Sequence, residues 1–261
     1  MNPSVNKTIK IDGVEVPFEE GQTIMDAALA ADIYIPHLCH KPGLSPHGSC
    51  KLCTVDLDGR SVSACSMPAG EGMDVQNDTP TLKEVRKTIT QMLFVEGNHL
   101  CPSCEKTGDC TLQAVGYHLG MLDGHFPQFY PRREVDASHP SLVIDRDRCI
   151  LCELCVRASR EIDGKDVFAI SGRGINRHLI VNSPTGKLGD SDIELDDQAA
   201  HICPVGAILI KDHGYEVPIG RRTFDLHSVV ETDLGEVKLS KTKHDDEANE
   251  ADNKEGGVYG A

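Results

Sequence analysis

The chain opens with two short runs of alternating apolar and polar residues. Residues 7–11 (KTIKI) and 14–17 (VEVP) flank Gly13 and predict a hairpin. The period then changes. Thr23 precedes IMDAALAA, in which Ile24, Ala27, Ala28 and Ala31 share a side, so the spacing predicts a short helix capped by Thr23. Residues 54–57 and 60–63 flank Asp58-Gly59, a strong hairpin signal. The T-x-x-E of residues 81–84 reads as a capping box. It opens a longer helix with Leu82, Val85, Ile89, Met92 and Leu93 as its core side and Gly97 as its C′ residue. Residues 125–140 (HFPQFYPRREVDASHP) form a connector with little regular structure. Beyond it the pattern predicts strands at 141–145, 167–170, 179–181 and 207–210, a helix from Cys155 to about residue 162, and a short helix leading to His201.

Between these elements lie eleven cysteines. In DRDRCILCELCVR, Cys149, Cys152 and Cys155 are each two residues apart, which folds three thiolates around one point. This is the start of the bacterial ferredoxin run C-x2-C-x2-C-x3-C-P. Ser159 and Arg160 stand where its last Cys and Pro would fall, so the fourth thiolate comes from elsewhere, and Cys203-Pro204 in HICPVGA supplies it. A second full motif ending at Cys203 would need cysteines at positions now held by Ala199, Asp196 and Ile193. The pattern is a double ferredoxin motif with one [4Fe–4S] cluster kept, on Cys149, Cys152, Cys155 and Cys203, and one lost.

Cys39, Cys50, Cys53 and Cys65 follow C-x10-C-x2-C-x11-C on a strand–helix–hairpin frame that suits a [2Fe–2S] centre. A zinc ribbon is the alternative, although such ribbons use two short C-x2-C knuckles and only one is present here. Three cysteines then remain, Cys101, Cys104 and Cys110 at C-x2-C-x5-C. A [4Fe–4S] cluster takes four protein ligands, and His99, two residues before Cys101, closes the count, with His118 and Asp109 as rivals. A zinc site of three thiolates and one imidazole is the other possibility for this set.

Composition narrows the function. A net charge of −15 argues against nucleic acid as a partner. The N-terminus carries no apolar signal region and no apolar run approaches a membrane span, so the cysteines read as metal ligands of a cytoplasmic protein rather than as disulfides. The glycines of Gly172-Arg173-Gly174 do not extend to a dinucleotide fingerprint, there is no Walker A sequence, and no NAD or flavin site is recognisable. No catalytic residue stands out: neither a Ser–His–Asp set nor paired carboxylates appear. Residues 231–261 hold nine acidic and four basic residues and predict a flexible acidic tail. A row of three redox sites without a substrate site is most simply a wire with partners at both ends.

EGNHLCPSCEKTGDCTLQAVGY, DRDRCILC, AHICPVGAIL and GYEVPIGRR closely resemble the diaphorase-side iron–sulfur subunit of soluble NAD-reducing [NiFe] hydrogenases, over residues 7–230. The order of motifs is also similar to the N-terminal part of the large iron–sulfur subunit of respiratory complex I. There the histidine stands four residues before the first cysteine of its motif, a position held here by Gly97. The resemblance implies an α+β chain. Its parts are a ubiquitin-like (β-grasp) [2Fe–2S] ferredoxin domain (1–80), a helical segment with a His/Cys-ligated [4Fe–4S] cluster (81–137), a [4Fe–4S] ferredoxin-like domain with one cluster retained (138–230), and the tail (231–261). It implies one [2Fe–2S] and two [4Fe–4S] clusters relaying electrons between the small and large [NiFe] hydrogenase subunits and a flavin- and NAD-binding diaphorase subunit, with this chain non-catalytic. The rivals are the same wire in an NAD-dependent formate dehydrogenase or complex I relative, and a zinc-binding interaction module.

Overall fold

The structure, a computed structural model, describes residues 7–235. The N-terminal alternation folds as expected: β1 (Lys7–Ile11) and β2 (Val14–Phe18) form an antiparallel hairpin. Helix α1 (Ile24–Ala30) follows and buries Ile24, Met25, Ala27 and Ala28. Its start is fixed by a reciprocal box. The Thr23 hydroxyl accepts from Asp26 N–H at 3.1 Å, and the Asp26 carboxylate accepts from Thr23 N–H at 2.9 Å. The second hairpin is β3 (Thr54–Leu57) with β4 (Arg60–Ser63), and β5 (Asp74–Gln76) completes the sheet in the order β2-β1-β5-β3-β4. β5 runs parallel to β1 and antiparallel to β3, with α1 packed beneath, which is the β-grasp arrangement. Ile9, Ile11, Val16, Val55 and Val75 point into the core that α1 closes.

The long helix α2 (Pro80–Glu96) corrects three expectations. Its N-cap is Thr79, whose hydroxyl accepts from Leu82 N–H at 3.2 Å, and not Thr81. Pro80, with no N–H to satisfy, takes the first helical position. The buried face is Leu82, Arg86, Thr90, Gln91 and Val95, while Val85 and Met92 are exposed and Ile89 and Leu93 are half-buried. The register turns because Arg86, not an aliphatic residue, is what α2 inserts into its neighbour. Gly97 also differs from the expected left-handed C′ residue, its backbone being extended at φ −109°.

A short 3-10 turn and helix α3 (Thr111–His118) complete the middle segment. The C-terminal unit pairs β6 (Val135–Asp136), β7 (Leu142–Asp145) and a later strand in one antiparallel sheet. Helix α4 (Leu154–Glu161), the hairpin β8 (Phe168–Ser171) and β9 (His178–Val181), helix α5 (Gln198–His201) and β10 (Ile208–Ile210), the third strand of that sheet, pack on a core of Leu142, Ile144, Val156, Phe168 and Leu179. Because β6 belongs to this sheet, the unit begins before residue 138. Helices α6 (Thr223–Leu226) and α7 (Val229–Asp233) fold back over the middle segment, so packed structure also continues past residue 230. Phe224 N–H donates to Gly108 O at 2.8 Å and Arg222 Nη1 to Thr107 O at 3.1 Å. The tail beyond residue 235 lies outside the described residues.

Candidate iron–sulfur centres

The first cysteine set converges at the edge of the β-grasp unit. Cys39 leaves the segment after α1, Cys50 and Cys53 bracket a tight loop before β3, and Cys65 follows β4; all four are buried. Cys53 Sγ and Cys65 Sγ lie 3.2 Å apart, and the Cys39 thiol faces those of Cys50 and Cys65. These contacts split the thiol acidities. Cys39 is pulled far below the usual thiol range, chiefly by the Cys50 thiol, and Cys65 is pushed far above it, chiefly by Cys39. Buried thiols whose main polar partners are one another form a donor set that suits an iron–sulfur cluster, where metal takes the place of the protons. Lys51 sits at φ +59°, an uncommon conformation for a residue with a side chain, and this curls the loop so that Leu52 N–H meets the Cys50 sulfur.

The same device recurs at Cys149-x2-Cys152-x2-Cys155. Leu151 and Glu153 lie at φ +54° and +57°. Leu151 N–H meets the Cys149 sulfur and Leu154 N–H the Cys152 sulfur. Left-handed backbone at these two positions turns N–H groups toward the sulfurs, an arrangement that favours negative charge, as a thiolate-bound cluster requires. Burial is the largest influence on these thiols. It raises Cys149 to about 11 and holds Cys152 and Cys155 well above the usual thiol range. Cys203 is close enough to push all three up as well, so the fold brings it to this group from some fifty residues away in sequence.

In the middle segment Cys101 and Cys104 bracket the 3-10 turn and Cys110 precedes α3. Cys110 is raised to about 12 by burial and feels both other thiols. The His99 ring lies between Gly97 and Phe94, edge-on to the phenyl ring at 5.5 Å between centroids. Its Nε2 is buried without a hydrogen-bond partner. Burial, helped by Arg148, holds His99 at about 4, so the imidazole is neutral near pH 7. A buried, neutral, unpartnered ring nitrogen fits a metal ligand. Gly97 makes the room: a methyl group there would stand 2.6 Å from His99 Nε2 and 2.7 Å from Asp147 O. The two rivals are engaged elsewhere. His118 stands edge-on to Tyr34 at 5.1 Å, and the Asp109 carboxylate accepts from Thr223 N–H at 3.0 Å.

The order of the sites in space differs from their order in sequence. The group at Cys149–Cys203 touches both others. On one side Arg157 Nη2 donates to Cys39 O at 2.5 Å and to Cys152 O at 3.3 Å. On the other, Arg148 Nη1 lies 3.7 Å from Cys104 Sγ, Thr111 N–H donates to Pro204 O at 2.9 Å, and Asn98 N–H donates to Asp147 O at 2.9 Å. A single apolar cluster contains Cys39, Cys50, Cys110 and Cys152 together with Leu38, Leu52, Leu112 and Leu154. Sequence reasoning missed the arginines that make these contacts. It also missed Arg86, which donates to Leu52 O, Asn77 O and Thr54 O at 2.9–3.0 Å and to Asn77 Oδ1 at 2.7 Å. The one signal for Arg86 was its place four residues from both Leu82 and Thr90 on α2.

Three stretches match family models: a 2Fe-2S iron-sulfur cluster binding domain (residues 6–80), the iron-sulfur binding region of NADH-ubiquinone oxidoreductase-G (86–125), and a 4Fe-4S single cluster domain (142–210). With the fold, these define an iron–sulfur electron-transfer subunit of an oxidoreductase. The gamma subunit of the NAD-reducing hydrogenase HoxS of Cupriavidus necator is 40% identical over 222 residues, which are 85% of this chain and 94% of that one. The chain belongs to this family, the gamma subunits of NAD-reducing hydrogenases. One chain of a solved NAD+-reducing [NiFe]-hydrogenase in the H2-reduced state superposes with a TM-score of 0.85 at 50% identity, covering 88% of this chain and 98% of that one. The mitochondrial 78 kDa subunit of NADH-ubiquinone oxidoreductase of Candida albicans is 30% identical over 213 residues. The match takes in 79% of this chain and 29% of that protein, so the chain corresponds to under a third of that relative's length. Among the described residues no helix is long and apolar enough to cross a membrane.

Proposed function

We propose that this chain is a non-catalytic relay, carrying electrons between a [NiFe] hydrogenase module and a flavin- and NAD-binding diaphorase module in the net reaction of H2 with NAD+. The observation that carries the reading is the contiguity of three metal-suited sites through Cys39–Arg157–Cys152 on one side and Cys104–Arg148 on the other. The ligand sets that the geometry favours are Cys39, Cys50, Cys53 and Cys65 for one [2Fe–2S] cluster, and Cys149, Cys152, Cys155 and Cys203 for one [4Fe–4S] cluster. His99, Cys101, Cys104 and Cys110 hold the second [4Fe–4S] cluster. Clusters held there supply one-electron exchange. The chain's own residues keep the sites dry, fix their spacing and direct backbone N–H groups at the sulfurs.

In this reading the Cys149–Cys203 site is the central link, and each outer site faces one partner. Support for a partner at the His/Cys end comes from the exposed Leu100, Phe129 and Tyr130 beside it. The protein works in the cytoplasm, in complex with the small and large hydrogenase subunits and the diaphorase subunit. Its domains follow the three sites, with the acidic tail beyond them. The test is anaerobic reduction of the native complex by H2 alone and by NADH alone, followed by electron paramagnetic resonance. About 10 iron atoms per chain and reduction by both donors are expected. Reduction by NADH but not by H2 would move the chain to a formate dehydrogenase or complex I relative, and a colourless zinc protein would end the relay reading.

A further inference from the structure

The two arginines beside the central site carry their charge differently. Arg148 is ion-paired with Glu105 and, at 2.8 Å, with Asp145. Arg157 is 6% exposed, and among the described residues no carboxylate pairs with it. Its partners are backbone carbonyls: Ser45 O at 2.7 Å from Nη1, and Cys39 O and Cys152 O from Nη2, while Nε has none. One turn along α4, the Glu161 carboxylate accepts from Ser45 N–H at 2.8 Å. Helix α4 thus grips both backbone groups of Ser45, inside the Cys39–Cys50 loop. A buried guanidinium without a counter-carboxylate is costly unless negative charge gathers around it. Here it stands between two groups of cysteines, hydrogen-bonded to a member of each.

We propose that Arg157 is a positioning residue for electron exchange between the [2Fe–2S] site and the central [4Fe–4S] site. It fixes the gap between Cys39 and Cys152, and its uncompensated charge favours the reduced, more negative state on both sides. The electron lost by one site is the electron gained by the other; partner subunits supply and remove it, and no bond forms or breaks at Arg157. The proposal rests on the reading of these eight cysteines as cluster ligands.

The experiment uses the native complex with Arg157→Gln and Arg157→Lys, read by iron content, redox titration under electron paramagnetic resonance, and the magnetic interaction between the two sites. With iron retained, Arg157→Gln is expected to shift the reduction equilibrium of both sites toward the oxidised form by about tenfold, 59 mV for a one-electron couple, and to leave the His/Cys site unmoved. Arg157→Lys keeps the charge but cannot span three carbonyls. It is expected to restore the potentials and leave the magnetic interaction and the H2-to-NAD+ rate reduced. Unchanged potentials in an iron-replete Arg157→Gln complex overturn the proposal. If that variant loses iron, Arg157→Lys decides: a weakened interaction at native potentials supports the role, and a native interaction overturns it. Failure of the ligand reading looks different, because the wild-type complex would then lack one of the two signals.

Discussion

The central site meets its two neighbours across unlike junctions. Toward Cys39 the junction is buried and carbonyl-lined, and among the described residues the Arg157 guanidinium in it pairs with no carboxylate. Toward Cys104 it is half-exposed, and Arg148 is balanced by Glu105 and Asp145. In the dry junction a charge acts at low effective dielectric, and removing it leaves polar groups unsatisfied. In the wet junction solvent and carboxylates screen the same charge, and its loss is easily absorbed. Burial and counter-charge, more than distance from a site, therefore decide how strongly an arginine acts on it.

The largest disturbance is expected from a tight spot on the wet side. Gly97→Ala places a methyl group 2.6 Å from His99 Nε2. The His/Cys signal should be lost or altered while the other two persist, and an unaltered signal would show that His99 need not sit where it does. Next comes stability. Arg157→Met strands the carbonyls of Ser45, Cys39 and Cys152 and should cost about 3 kcal/mol. Arg148→Met should cost about 1 kcal/mol. Thermal unfolding of the complexes measures both, and equal losses would erase the contrast. Glu161→Gln weakens only one half of the grip on Ser45 and should cost about 0.5–1 kcal/mol. Smallest is the effect of salt. Raising it to about 1 M shortens the screening length to about 3 Å, and should move the potential of the His/Cys site more than that of the [2Fe–2S] site.

The cysteine groups and most strands and helices were legible in the sequence, because thiol spacing and hydrophobic period are local signals. The hairpins about Gly13 and Asp58-Gly59, the Thr23 cap and the strand before Cys149 all appear where their residues predict. What was not legible depends on contacts between distant segments. Helix α2 buries Arg86, Thr90 and Gln91 in preference to Val85 and Met92. Its neighbour is the loop end at Leu52 and the start of β3 at Thr54, whose carbonyls a guanidinium satisfies where an aliphatic chain could not. Gly97 is glycine for the space its neighbours need rather than for a left-handed turn. Sequence order also set the His/Cys segment between the other two sites, whereas the fold puts the Cys149 group between them, with Cys203 supplied from beyond a hairpin.

The relay depends on that spatial order, and breaking the central link tests it most directly. In the native complex, Cys203→Ala removes the central signal. H2 alone and NADH alone are then added anaerobically while the two outer signals are followed. Each donor is expected to reduce one outer site and not the other, and H2-dependent NAD+ reduction is expected to stop. Reduction of both outer sites by either donor, with the central signal absent, would contradict the order.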